Sequence, residues 1–320
     1  MSLLAPGRGL RGAAPEDLAH APARLGWKVA AEVLSPDGPR EVATWSEGAG
    51  RRVEVDGKAA TQTALGRVLR ILWLTPAMDR LWLEGAGERR RFLDRMTLSL
   101  VPDHGEVAAG YERGLRERNR LLRDGVRDPA WFEALEGEMA FLGARLSANR
   151  GVAVARLGSA GAAEGFPAAD LTLEAEGPRD EAGLREALRA GRSRDMAAGR
   201  SLTGPHRDDL GAIYAAKGVP ARLCSTGEQK ALLVSLVLSN ARAVAVDFGR
   251  PPVLLLDEIT AHLDAGRRAA LFEALLGIGA QAFLTGTGPE LFGELGDRAA
   301  HLEMCEAAGE SRASFVQSVS

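Results

Sequence analysis

The stretch that most restricts this 320-residue chain is Val253-Leu254-Leu255-Leu256-Asp257-Glu258. Four consecutive apolar residues suit a strand covered on both faces in a parallel sheet, and the strand delivers two adjacent carboxylates at its C-terminal end. Open α/β sheets bind ligands at that end. An Asp there holds Mg2+, directly or through water, beside nucleotide phosphates. A Glu next to it orients or deprotonates an attacking water. Taken alone, the segment is equally a core strand whose Asp caps the next helix.

A second segment, Ser225-Thr226-Gly227-Glu228-Gln229-Lys230, opens the apolar run ALLVSLVLS. A Ser and a Gly at a helix start leave backbone N–H groups free. Together with the hydroxyl and the positive end of the helix dipole, these suit a phosphate. Gly227 lets that phosphate come close to the backbone. Ser225 and Glu228 also have the spacing of an ordinary capping box. The pair of segments is more specific than either alone. From Ser225 to Asp257 is 32 residues, room for one long helix, a loop and a return strand.

With 46% hydrophobic and 26% charged residues, the chain is globular, and its length suits about two domains. Its formal net charge of −3 and pI of about 6.1 leave nucleic-acid contact only to a local basic face. Cys224 and Cys305 cannot build a disulfide framework, and five scattered histidines lack zinc spacing. The opening MSLLAPGRGLRG has no signal-peptide core, and no apolar run of about 18 residues is read. The expectation is a cytoplasmic protein with no membrane partner.

Residues 27–34 and 51–58 read as strands, the second carrying the turn pair Asp56-Gly57. Residues 61–74 mix a helical pattern with an apolar end, and Glu88 to Met96 reads as a helix. Residues 105–150 read as a helical hairpin broken near Asp128-Pro129. Leu115, Leu121, Leu122, Phe132, Leu135, Met139 and Leu142 form its apolar stripe. Residues 151–170 are rich in Ala and Gly and give weak signals. A strand over 171–175 and a helix over 180–190 come next. After Arg200 strand and helix alternate as in an α/β sheet.

The order of the signature-like segment, a long helix, the VLLLDE strand and Ala261-His262-Leu263-Asp264, seven positions past Asp257, resembles the ATP-binding head of the ABC-type ATPases. The structural-maintenance-of-chromosomes and double-strand-break-repair branch is included. The resemblance implies that Ser225, Gly227, Glu228 and Gln229 face the γ-phosphate of ATP held by a second subunit. It implies that Leu263 and Asp264 form a D-loop along the dimer seam, and that ATP joins two heads into a homodimer. Three more segments narrow the match. Leu202–Asp209 (LTGPHRDD) is similar to the segment before the signature in RecF proteins. Gly87–Asp94 (GERRRFLD) is similar to the one before their helical arm. Gln281–Thr287 (QAFLTGT) resembles the strand leading to their switch position, with Thr285 and Thr287 where a transporter carries His.

Resemblance to the RecF family implies an α/β, ABC-ATPase-like head with a mostly parallel sheet, interrupted by a helical arm. Residues 1–100 would be the N-terminal part of the head and 101–195 the arm. Residues 196–320 would carry the signature, Walker B strand and D-loop. Also implied are ATP and Mg2+ as cofactors and a weak DNA-dependent ATPase. The further implication is ATP-dependent binding to gapped, single- and double-stranded DNA, with RecO- and RecR-type partners that help load recombinase. Arg89, Arg90 and Arg91 are the candidate DNA contacts, followed by the arm arginines Arg113, Arg116, Arg118, Arg120 and Arg123. They would neutralise phosphates and make binding steeply salt-dependent. The arm also carries Glu112, Glu117 and Asp124, so a mixed-charge solvated face is an equal alternative. His206 occupies a family-like position with no chemistry derived for it.

The sequence departs from the family in one respect. No G-x-x-x-x-G-K-[ST] phosphate loop occurs in it, although the family opens with one. Met1 to Gly12 resembles the family's segment just beyond that loop's helix. The chain is therefore expected to start late by roughly 30 residues, a strand–loop–helix unit. Cys224 stands where the family commonly has Leu, a mild change. Two alternatives remain: a non-hydrolysing module that only binds DNA or partners, or another chromosome-maintenance-type head, which would need a far longer coiled coil. The expected behaviour is weak or absent ATP hydrolysis and marginal stability, from an unpaired central sheet edge. Turnover abolished by Glu258→Gln in a phosphate-release assay overturns that expectation.

Overall fold

The computed structural model describes residues 1–19, 26–48, 50–260, 263–307 and 310–316. The chain first builds an antiparallel sheet from β1 (Trp27–Ser35), β2 (Gly38–Ser46), β3 (Arg52–Val55) and β4 (Lys58–Ala60), in that order. The turn between β3 and β4 uses Asp56 and Gly57 with φ of 50° and 70°, the paired positive angles of a tight hairpin. Strand β2 escapes the sequence pattern because its inward positions are Val42, Thr44 and Ser46. Two of the three are polar, and each is satisfied in place. Thr44 Oγ1 donates to Arg52 O at 3.0 Å and Ser46 Oγ to Gly48 O at 2.7 Å.

The ambiguous stretch 61–74 divides into α1 (Gln62–Val68) and β5 (Ile71–Leu74). Then come α2 (Ala86–Leu100), α3 (His104–Arg123) and α4 (Pro129–Ala160). Asp128 caps α4, its side chain accepting from Ala130 N, and Pro129 opens the helix where no N–H is needed. Its 32 residues span about 48 Å and run well past Arg150, the end read from sequence. The extra turns consist mainly of small residues, so they carry little periodicity. Ala153 and Leu157 nevertheless pack into the main core.

The remaining elements are β6 (Ala169–Glu174), α5 (Glu181–Ala198), β7 (Asp209–Tyr214), β8 (Val219–Pro220), α6 (Thr226–Phe248), β9 (Val253–Leu256), α7 (Ala265–Ile278), β10 (Ala282–Leu284), β11 (His301–Ala307) and β12 (Glu310–Val316). The three central strands are parallel in the order β10-β9-β5, with Leu284, Leu256 and Leu74 in register. Leu254 and Leu256 enter one core with α6, while Val253 and Leu255 enter a second core with the β1–β4 sheet. The expected mostly parallel sheet is corrected: among the described residues the other sheets, β1–β4, β6–β8 and β11–β12, are antiparallel. Short turns join most of these strands, and such turns can connect only antiparallel neighbours. Among the described residues β10 pairs on one side only, and its Phe283 is 42% exposed.

One further sequence expectation is corrected. Helix α6 has 23 residues and a mean hydropathy of 1.6 over its most apolar window, enough by length and composition to cross a membrane. Every residue from Gln229 to Ala241 is buried, which makes it the central helix of a folded core.

Two arginines bind the helical layer together. Arg118 of α3 is wholly buried. It donates to Glu136 of α4 at 3.0 Å, Asp195 of α5 at 2.7 Å, Ser201 Oγ at 2.7 Å and Leu188 O at 2.9 Å. Arg150 of α4 grips both carboxylate oxygens of Asp94 at 2.7 and 2.9 Å, and it reaches Pro205 O at 2.6 Å and Asp208 at 3.3 Å. Replacing Arg118 by Met leaves Asp195 and Glu136 short of a buried partner. It is expected to lower stability by about 3–5 kcal/mol in urea unfolding, and a loss below about 1 kcal/mol contradicts the role assigned to it.

Candidate active site

Strand β9 ends at Leu256, and Asp257 continues the sheet by donating its N–H to Leu74 O at 2.9 Å. Asp257 is half-buried and Glu258 exposed. Thr285, one residue past β10, donates its hydroxyl to Asp257 Oδ1 at 2.7 Å and accepts the Glu258 N–H at 3.0 Å. The acidic pair and Thr285 therefore form one cluster at the C-terminal end of the parallel strands. Thr287 lies two residues further along, exposed and outside that cluster.

The two D-loop candidates divide. Leu263 is buried in the main core, and Asp264 caps α7 by accepting from Arg267 N at 2.9 Å. Ala261 and His262 lie outside the described residues.

At the start of α6 the capping box is fully formed. Ser225 N and Ser225 Oγ both donate to Glu228 Oε2 at 2.9 Å, and Glu228 N donates back to Ser225 Oγ. Lys217, from the turn between β7 and β8, pairs with the other Glu228 oxygen. That pairing and the two bonds from Ser225 hold the Glu228 carboxyl down at about 2. Gln229 points inward and donates to Cys224 O at 2.9 Å, so it shapes the loop and does not present itself to solvent. No atom lies within 4 Å of where a Cβ on Gly227 would sit. Buried Lys230 reaches Asp79 at 3.2 Å, in the short turn that leaves β5. Because β5 and β9 run parallel, this tie draws the start of α6 toward the end of the sheet from which Asp257 emerges.

These residues fit part of what a nucleotide needs. The Ser225 hydroxyl, the open face at Gly227 and the helix N-terminus suit a phosphate, and Asp257 suits Mg2+. Glu228 places a negative charge beside the Ser225 hydroxyl, and Lys217 offsets it. The phosphate loop that would complete the cradle has no counterpart in the sequence.

The candidate DNA contacts behave differently from one another. Arg89 grips both oxygens of Asp209 at 2.7 Å, and Arg90 donates to Asp208 O at 2.7 Å, so both are committed within the protein. Arg91 is exposed and, among the described residues, pairs only with Glu88 on its own helix, a contact worth little in water. On α3, buried Arg118 is removed from the candidates. Arg116 and Arg120 pair with Glu112 and Glu117. Arg113 and Arg123 are exposed, with no ion pair among the described residues.

Two of the motif segments and helix α4 turn out to be one structure. Asp94 of GERRRFLD, Pro205 and Asp208 of GPHRDD, and Arg150 of α4 meet in a single buried knot. Arg150 went unnoticed in sequence because nothing local marks it. His206 joins the same region, its Nδ1 accepting from Tyr111 Oη at 2.8 Å and its Nε2 donating to Ser201 O at 3.1 Å. Gly204 has φ of 133°, and a Cβ there would lie 2.5 Å from Tyr111 Oη, so only glycine permits this approach.

No protein-family model matches the chain. It is 47% identical over 323 residues to the DNA replication and repair protein RecF of Mesorhizobium japonicum, covering 94% of this chain and 84% of the relative. It is 48% identical to the RecF proteins of Brucella suis and Rhizobium meliloti, covering 92% and 94% of this chain and 81% and 85% of theirs. Among solved structures, the recombination mediator protein RecF of the RecFOR pathway with ATPrS superposes with a TM-score of 0.81 at 20% identity, over 97% of this chain and 86% of that one. Its ATP form gives 0.80, over 98% and 86%. This likeness shows a common fold.

Burial holds the His206 ring neutral down to about pH 4, against an ordinary value of 6.5, with the charges of Arg207 and Arg90 adding to the effect. The unfolded chain takes up that proton near pH 6.5 while the folded chain refuses it. The contribution to stability is therefore complete above pH 6.5 and is lost as pH falls from 6.5 to 4, by up to about 3 kcal/mol. Urea midpoints at pH 7.5 and 4.5 should fall further apart in the wild type than in His206→Gln. Equal separations would contradict the assignment.

Proposed function

The chain belongs to the RecF family of DNA replication and repair proteins, and on that footing we propose that it acts as an ATP-dependent DNA-binding recombination mediator. Its partners in this reading are RecO- and RecR-type proteins that load recombinase at gapped DNA in the cytoplasm. The observation that carries the reading is the cluster of Asp257, Glu258 and Thr285 at the end of a buried parallel strand. In it, Asp257 holds Mg2+ and Glu258 orients or deprotonates water. The loop from Ser225 to Gln229 faces the nucleotide of a second copy, with Ser225 as the phosphate contact and Gln229 as the loop's internal brace. Leu263 and Asp264 line the seam between the two copies, and Thr287 stands near the switch. The head comprises residues 1–100 and 196–320, and the helical arm 101–195.

Support for repair and replication comes from the relatives' names. Support for ATP and the RecFOR pathway comes from the structurally similar RecF chains. On the DNA side, the exposed Arg91, Arg113, Arg116, Arg120 and Arg123 are the phosphate contacts in this reading. Arg89 and Arg90 hold the segment beneath them.

A fluorescent gapped duplex titrated with the protein tests the reading. ATP and Mg2+ should tighten binding, Asp257→Asn and Ser225→Arg should each remove about tenfold of that gain or more, and affinity should fall steeply with salt. Binding that is indifferent to ATP and to both substitutions favours a non-hydrolysing interaction module instead.

A further inference from the structure

We infer that Thr285 is the positioning residue that fixes the direction of Glu258. Parallel pairing ends with Leu284 opposite Leu256, and Thr285 N donates to Leu256 O at 3.0 Å. That bond sets the Thr285 side chain beside the peptide joining Asp257 to Glu258. Its single hydroxyl proton goes to Asp257 Oδ1 at 2.7 Å, and a lone pair of the same oxygen accepts the Glu258 N–H at 3.0 Å. The two roles use different parts of the hydroxyl and do not compete.

Glu258 has φ of 49°, in the left-handed region that side chains with a Cβ avoid. Among the described non-glycine residues only Asp56 shares a positive φ. Asp56 lies in a hairpin turn beside Gly57, held by Arg40 and the Glu41 N–H. Glu258 has no neighbouring glycine. It is followed by Ile259, buried in the main core, so the chain is pinned on both sides of one unfavourable residue. Such a conformation persists only where its surroundings impose it. The Thr285 hydroxyl is the group that receives the Glu258 N–H. Without it, the peptide relaxes and the Glu258 carboxylate swings with it. Threonine suits the task because its branched Cβ limits rotation of the hydroxyl.

The consequence for catalysis rests on the proposed function, in which Asp257 and Glu258 act at a nucleotide. The hold itself operates in the nucleotide-free chain and is tested there. Urea unfolding of the full chain is measured for Glu258→Gly in the wild-type, Thr285→Val and Thr285→Ser backgrounds. Glycine adopts positive φ freely, so the substitution should raise the folding constant about two- to fivefold in the wild type. The same rise should appear with Thr285→Ser, which keeps the hydroxyl, and vanish with Thr285→Val, where the turn has already relaxed. An equal rise in all three backgrounds, or in none, overturns the proposal. Failure of ATP-dependent DNA binding overturns the nucleotide reading and leaves this cycle intact.

Discussion

Strand β9 is hydrogen-bonded on both sides, to β5 and β10, and covered on both faces by separate cores. Its four side chains are each at most 9% exposed, and burial of such side chains stabilises by about 1.5–3 kcal/mol apiece. The strand therefore cannot slide or tilt without breaking two ladders and opening two cores. That rigidity passes to the residues just beyond it. Asp257 is still tied to Leu74, and Thr285 is still tied to Leu256. The acidic pair thus stands at the end of a strand paired on both sides and buried on both faces, the kind of support a precisely placed site requires.

A second kind of constraint joins the helical layer to the sheet. Arg118 and Arg150 are almost fully buried, and each has several partners. Taking a guanidinium out of water is costly, and these two are tolerated because nearly every donor finds an acceptor. The same economy explains why Arg89 and Arg90 turn inward toward Asp209 and Asp208. Helix α4 makes these anchors effective. It passes from the exposed Trp131 near its start to Leu157 in the main core, so one helix belongs both to the layer of α3 and α5 and to the core around β9.

The elements read most easily from sequence were those whose inward residues are apolar. Strand β1, the VLLLDE strand and the break at Asp128-Pro129 all showed themselves through hydrophobic pattern or through the backbone limits of proline. Strand β2 did not, because Thr44 and Ser46 point inward and bond locally. The last turns of α4 did not, because small residues carry almost no periodicity. In the candidate site, Asp257, Glu258 and Ser225 were legible as residue types at a spacing. The inward turn of Gln229 and the separate tasks of Leu263 and Asp264 were not, because each depends on what lies across the fold.

Three features were legible in the chain alone: the buried strand with its terminal carboxylates, the capping box at Ser225, and the kinship that these and the neighbouring motifs carry. Each rests on residues close together in the chain, where spacing alone decides which groups can meet. Folding sorts the structural arginines from those that face water, lets Thr285 seize two successive groups of the acidic pair, and brings Asp94, Arg150 and Asp208 together. Those contacts join residues from 18 to 120 positions apart, and nothing short of the folded chain brings their charges and hydroxyls within bonding distance.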